Sequence, residues 1–335
     1  MKLVFLSAYW DIEDMNKRKL GKSGIEITPI GLGTWQFSKG KGLAGGFWKS
    51  LDEDTTKAVV KAALDGGIDW FDTAEIYGRG NSERSLASAL GALGVAPRSV
   101  GVATKWWPFF RMARNIPATI GERIACLSPY PIDLYQIHMP FGLSNVEREM
   151  DAMGDLVEAG KIRAVGVSNF SAADMEKANS ALTKRGMVLS TNQVRISLLD
   201  RSIERNGVLE AAKRLGVTLI AYSPLAQGVL SGRFHDDLAS VAGVKSLRRM
   251  SSSIKPKTLE RTAPLISELK KIASAHGASP SQVALNWLVS FWGDAIVAIP
   301  GASRPSQASE AAGAMKFELT PAELDSIDRI SRDLA

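Results

Sequence analysis

GGIDWFDTAEIYGRGNSERSL, residues 66–86, puts an acid at the end of a hydrophobic strand, and that placement decides how the chain is read. Gly66 and Gly67 end a helical pattern, and the apolar Ile68, Trp70 and Phe71 then mark a short strand over 69–74. The strand runs into Asp72, and Tyr77 follows on a polar, glycine-containing loop. A helix over 82–91, with Ser82 as N-cap, comes next.

The same strand-then-helix rhythm repeats through the chain. Strands are expected at 30–35, 69–74, 100–106, 133–139, 164–170, 189–195, 218–224 and 295–301. Amphipathic helices are expected at 54–65, 82–91, 146–159, 171–182 and 206–215, with Ser144 and Ser171 as further N-caps and Gly66, Gly160, Gly186 and Gly216 as stops. Two more helices, 263–276 and 280–291, precede the last strand, the second opened by Ser279 and Pro280. A parallel strand needs a crossover before the next, so eight such units predict a single (β/α)8 TIM barrel. A doubly wound sheet is the rival, but GLGTWQ at 31–36 lacks the third glycine of a dinucleotide fingerprint. RKLGKSGIEITP, residues 18–29, reads as an N-terminal β-hairpin. Long loops follow the first and seventh strands, at the C-terminal face; the second runs from Leu225 to about Thr262, and from Gln227 onward it reads as a mobile flap with few apolar groups.

Composition narrows the function classes. Hydrophobic residues at 45% and charged residues at 23% suit a globular chain with a full core. The net charge of +6 is spread among acids without a basic arm, which argues against a nucleic-acid partner and toward a pocket for a small anion. Cys126 is the sole cysteine, so neither an intrachain disulfide nor a thiolate metal cluster is expected. The start MKLVFLSAYWDIED makes a poor signal peptide, and the apolar run at 283–292 falls short of the ~20 residues that span a bilayer. The expected setting is cytoplasmic, with no membrane partner. Met15 begins a natural-looking start, so residues 1–14 read as an extension and 15–335 as the barrel.

Catalytic groups in such a barrel gather where the strand C-termini converge. Asp72, Lys105 and His138 end the second, third and fourth strands, with Tyr77 over them. Carbonyl reduction needs a proton for the developing alkoxide, and a tuned phenol supplies it. Lys105 is expected to lower the Tyr77 pKa, Asp72 to orient the lysine, and His138 to orient the substrate oxygen.

These residues resemble the aldo-keto reductases. GIDWFDTAEIYG, VATKW and DLYQIHMP are similar to the family's motifs around its Asp, Tyr, Lys and His, and AVGVSNF, STNQV, IAYSPLAQGVLSGRF and AIPGASRPSQASEAAG extend the likeness from about Leu20 to Ile330. The layout is most similar to the branch holding bacterial and plastid reductases and potassium-channel β subunits. The resemblance implies NADPH/NADP+ as cofactor and a small-molecule carbonyl as substrate. It places the carboxamide at Ser168, Asn169 and Gln193 and the nicotinamide ring on Tyr222. It places the pyrophosphate along Ser223, Pro224, Leu225, Gln227 and Gly228 with Arg233 as counter-charge. The 2′-phosphate falls to Ser303 and Arg304. Gly33, Thr34, Trp35, Asp72, Pro300, Gly301, Gln307 and Glu310 complete the implied cofactor wall, and no metal is implied. Two departures stand out: Ala311 where the family often has an adenine-contacting Asn, and Ile196, preceded by Arg195, where an aromatic is common.

Trp35, Phe47, Trp48, Trp106, Trp107, Phe109 and Phe110 are expected around the mouth, favouring small aldehydes, aromatic aldehydes or pyridoxal-like carbonyls over highly charged substrates. The expected activity is reduction of an aldehyde or ketone with Tyr77 as proton donor, by a monomer or weak homo-oligomer. The alternatives are a sugar or polyol dehydrogenase of the same family, and a non-catalytic NADPH-sensing regulatory subunit.

Overall fold

The computed structural model describes residues 17–40, 50–241 and 254–335. A two-stranded antiparallel hairpin, β1 (Arg18–Lys19) and β2 (Glu26–Ile27), precedes eight parallel strands. These are β3 (Leu32–Gly33), β4 (Trp70–Asp72), β5 (Gly101–Trp106), β6 (Leu134–Ile137), β7 (Ala164–Ser168), β8 (Leu189–Arg195), β9 (Thr218–Tyr222) and β10 (Ile296–Ala298). Each pairs with its chain neighbour, and the ends meet through parallel bridges from Ile30 to Ala298 and Gly33 to Gly301, so the sheet closes as a (β/α)8 barrel. Every expected strand is present, β8 at its expected length and the others shorter.

Helices α1 (Glu53–Asp65), α2 (Asn81–Ala92), α3 (Asn115–Leu127), α4 (Val146–Glu158), α5 (Ala172–Thr183) and α6 (Val208–Leu215) lie between successive strands. A short turn α7 (Arg233–Asp236), then α8 (Pro256–His276) and α9 (Pro280–Ser290), precede β10, and α10 (Pro305–Gly313) and α11 (Pro321–Arg332) end the chain. Ser171 and Ser279 cap α5 and α9 as their spacing predicts, the latter in a capping box. The other two caps shift. Asn145, not Ser144, caps α4, and Gly80 precedes α2 in a left-handed conformation. Ser82 instead lies fully buried inside the first turn, where its hydroxyl donates to Thr34 O (2.7 Å) and meets the hydroxyls of Thr34 and Thr73, each at 2.9 Å. It ties together the loops after β3 and β4.

Period-two alternation separates two cores. Outward residues such as Phe71, Val102, Tyr135 and Val167 join the helices in the larger one. Inward residues Trp70, Ala103, Leu134, Ala164, Ile220 and Val297 pack inside the barrel with Leu20, Ile25 and Ile27 of the hairpin, which thus plugs the lower end. Asp69, the strand-initiating acid, accepts from both the backbone and hydroxyl of Thr28 (2.9 Å each) and pairs with Lys17. Trp106 shares the parity of outward Val102 and is fully buried in the outer core, not at the mouth, which corrects the expectation for that residue.

The stretch after β9 is more folded than its composition suggests. Val229, Phe234, Ile254 and Leu259 form an apolar cluster of their own, and α8 begins at Pro256, seven positions before the expected start. Thr262 is therefore buried within a helix. The remainder of the expected flap, residues 242–253, lies outside the described residues, as do the extension 1–14 and the aromatics Phe47 and Trp48. No helix among the described residues is long and apolar enough to cross a membrane.

Candidate active site

Above the apolar floor, the next inward positions are polar. Asp72, Lys105, Gln136 and Gln193 come from β4, β5, β6 and β8, and all are buried. Lys105 Nζ donates to Asp72 Oδ1 and to Thr73 O (2.8 Å). The other oxygen, Asp72 Oδ2, accepts from Gln136 Nε2 (3.1 Å) and Gln193 Nε2 (2.9 Å). A carboxylate with a cation and two amide donors is fully engaged, so the pair is held rigidly at the bottom of the site. Gln136 was not singled out from the sequence; its signal is parity, two residues before His138 in an otherwise apolar strand.

Tyr77 lies over this pair, its ring centroid 5.2 Å from Lys105 Nζ. The backbone holds it there through Gly78, whose φ is +68° and whose absent Cβ would lie 2.2 Å from Ser38 O, so only glycine permits the approach. Trp35 stacks on the Tyr77 ring at 5.9 Å, and His138 meets it edge-on at 5.7 Å. Trp107 packs edge-on against His138 at 5.2 Å and continues to Phe141 at 5.6 Å. Phe109, Phe110 and Phe141 are exposed at the rim.

The titration of the phenol runs opposite to expectation. Burial, then the Asp72 carboxylate and Tyr222, raise the Tyr77 pKa well above its ordinary value. The Asp72 carboxylate, in direct contact with Lys105, offsets part of the lysine's field at the ring, so burial prevails. Burial lowers the Lys105 pKa against the pull of Asp72. His138 is pushed well below the usual imidazole range by burial and by Lys105, so it is neutral, and its Nδ1 is buried without a hydrogen-bond partner among the described residues. The site thus presents a protonated phenol beside a neutral imidazole.

A buried ionic network braces the substrate-side loops. Glu75, on the Tyr77 loop, accepts from Trp107 N–H and from Arg111, and Arg123 lies 3.7 Å away. Arg111 also donates to Trp107 O (3.0 Å) and Thr119 (2.7 Å), while its carbonyl accepts from Leu143 N–H (2.8 Å). Glu83, held by Arg123 (3.1 Å) and Thr104 (2.6 Å), is pushed up to about 7 by burial. Glu75, Glu83, Arg111 and Arg123 are given no role from the sequence.

A single cavity of about 1400 Å³ runs from Trp107 and His138 to Arg304 and Glu310. Every residue expected from the sequence to touch cofactor lines it, and Lys105 lies just beneath. Several of those groups bond to one another. Ser168 Oγ donates to Gln193 O (2.8 Å), Asn169 Nδ2 to Ser168 Oγ (3.0 Å), and Tyr222 OH to Asn169 Oδ1 (3.1 Å). Ser303 N–H and Oγ both donate to Gln307 Oε1 (2.9 and 3.0 Å), and Ser279 Oγ donates to Glu310. Asn169, Ser223, Ala226 and Gln227 all have positive φ, between 46° and 60°. Such left-handed residues each cost about 1–3 kcal/mol and cluster where a backbone is shaped for a ligand.

Comparison with known proteins agrees with this geometry. Residues 29–332 match the model of the aldo/keto reductase family. An uncharacterised oxidoreductase of Mycobacterium tuberculosis is 37% identical over 311 residues, spanning 92% of this chain and 90% of its own length. Glycerol dehydrogenase of Gluconobacter oxydans superposes with a TM-score of 0.79 at 27% identity, over 96% of this chain and 97% of the other. An aldo/keto reductase of Klebsiella pneumoniae, crystallised with NADP and acetate, superposes with a TM-score of 0.70 at 26% identity, over 94% and 95%. With the barrel and the match in agreement, the chain is a member of the aldo/keto reductase family.

Proposed function

We propose that this chain reduces an apolar or aromatic aldehyde or ketone with NADPH, Tyr77 delivering the proton. The observation that carries the reading is the buried Asp72–Lys105 pair beneath Tyr77 and His138, at one end of a cavity whose other end bears Arg233 and Arg304. The donor set fits NADP. Neither Arg233 nor Arg304 has a carboxylate partner among the described residues, and α10 turns its first N–H groups toward the Ser303–Arg304 loop with Pro305 at its start. Arg304 suits a 2′-phosphate because its planar fork matches the oxygens. Ser168, Asn169 and Gln193 would hold the carboxamide, Tyr222 would face the ring, and Arg233 would meet the pyrophosphate. When bound, the cofactor supplies the hydride.

The side chains supply the rest. Trp35, Trp107 and the rim phenylalanines exclude water from the carbonyl. Neutral His138 and protonated Tyr77 both point hydrogen-bond donors at its oxygen. The high phenol pKa keeps the proton in place until negative charge develops on that oxygen, and Lys105 then stabilises the phenolate that remains. Steady-state NADPH oxidation against a panel of aliphatic, aromatic and sugar carbonyls tests the reading; no turnover with any carbonyl would refute it. The structural likeness to a glycerol dehydrogenase favours a second reading, polyol oxidation at the same site. Initial rates in both directions separate the two.

A further inference from the structure

We infer that Arg195 recognises an anionic group on the substrate, so that the preferred carbonyl compounds carry a carboxylate or phosphate away from the reacting carbon. The inference rests on the reductase reading for the meaning of substrate and on the structure for the place of the arginine. Gln193 reaches Asp72 inside the barrel, and Val194 is buried on the helix side. Strand alternation therefore sends Arg195, the last residue of β8, to the same side as Gln193 and one level higher, where it lines the cavity.

Its neighbours place it on the side of the carbonyl. Arg195 pairs in register with Tyr222, and its guanidinium lies 6.0 Å from the Tyr222 ring centroid. Tyr222 bonds Asn169, and Asn169 in turn contacts Met139 Sδ (3.1 Å) and His138 O (3.5 Å). Arg233 and Arg304 belong instead to the loops after β9 and β10. The two anionic centres of NADP are matched by those two arginines, which leaves Arg195 as a third cation facing the cavity.

It is also uncommitted. Arg111, Arg123 and Arg201 each bond carboxylates at 3.1 Å or less and are largely withdrawn from solvent. The Arg195 side chain is 58% exposed, and its ion pair with Asp200 is stretched to 4.0 Å. A guanidinium with a loose partner can exchange it for a bidentate carboxylate or phosphate at little cost. The aromatic walls near His138 and this single cation together describe a substrate with an apolar body and an anionic end.

The test uses a matched pair, 4-carboxybenzaldehyde and 4-nitrobenzaldehyde, with wild type, Arg195→Gln and Arg195→Lys. The ratio of kcat/KM for the carboxylated to the neutral aldehyde should fall about 10- to 100-fold in Arg195→Gln, through KM, with partial recovery in Arg195→Lys. An unmoved ratio would overturn the inference. So would a matching loss of NADP⁺ affinity, measured by fluorescence quenching, since the anion would then be the pyrophosphate. If wild type reduces neither aldehyde, the carbonyl panel decides the reductase reading on its own. Calorimetry of benzoate and benzamide binding to the NADP⁺-saturated protein then decides separately: selective loss of benzoate in Arg195→Gln supports the arginine's role, and equal behaviour of both ligands rejects it.

Discussion

Lys105 and Arg201 are both fully buried cations, and they lie in opposite settings. Lys105 has no exposed surface and bonds Asp72 and Thr73 O beneath the cavity. Arg201, 1% exposed, bonds both oxygens of Glu204 and the carboxylate and carbonyl of Asp328, and is walled by the rings of Trp287, Phe291 and Trp292 at 5.0–5.6 Å. Both are costly to desolvate and both are compensated. Burial and pairing therefore do not by themselves mark a catalytic cation. The difference lies above the ion. Lys105 has Tyr77 and His138 side by side over it and a cavity beyond, whereas Arg201 joins the turn after β8 to α11 and faces only packed rings.

The sharpest way to break this contrast is Tyr77→Phe. Turnover should fall about 10²- to 10⁴-fold while NADP⁺ affinity holds, because the phenol acts on the substrate oxygen. A variant keeping a tenth of wild-type kcat would remove Tyr77 from its assigned role. The counterpart is Arg201→Met, which should lower unfolding stability by about 3 kcal/mol by removing the buried partner of Glu204 and Asp328 and leaving them the half-exposed Arg332, yet leave kcat per folded molecule unchanged. Denaturant titration beside active-site titration reads both; a large fall in kcat at full folding would dissolve the distinction between the two cations.

A buried carboxyl without a partner among the described residues sharpens it further. Glu149, in the first turn of α4, has Oε1 buried without a partner among the described residues, and burial pushes its carboxyl from 4.5 up to about 7. The folded state thus holds a proton that the unfolded chain releases above about pH 4.5. Its stabilising contribution is complete below that pH and is lost as pH rises through 7, amounting to about 3 kcal/mol by pH 8. Glu149→Gln should therefore gain stability over wild type at pH 8 relative to the same comparison at pH 5. Equal differences at the two pH values would mean the carboxyl finds a partner. The smallest expected effect is at the far end of the cavity. Arg304→Ala should raise the KM for NADPH by roughly 10- to 100-fold, for about 1.5–3 kcal/mol, and leave NADH nearly unchanged. Equal weakening of both would assign Arg304 to the pyrophosphate or to structure.

What could be read in advance follows the range of the forces involved. The eight strands, the hairpin and the caps Ser171 and Ser279 are local patterns, set by side-chain alternation and by hydroxyls reaching N–H groups three residues on. Asp72, Tyr77, Lys105 and His138 were legible for the same reason: each closes or follows a recognisable strand. Ser82 was misread because its competing partners, Thr34 and Thr73, come from other loops. Gln136, and the Glu75–Arg111–Arg123 network with Glu83, carry no local signature, since their partners lie up to 64 positions away. The sign of the Tyr77 shift is the clearest case. The identity of its neighbours follows from the strand order, but whether the lysine charge or burial prevails depends on distances and on solvent exclusion at the closed end of the barrel, which exist only once the chain has folded.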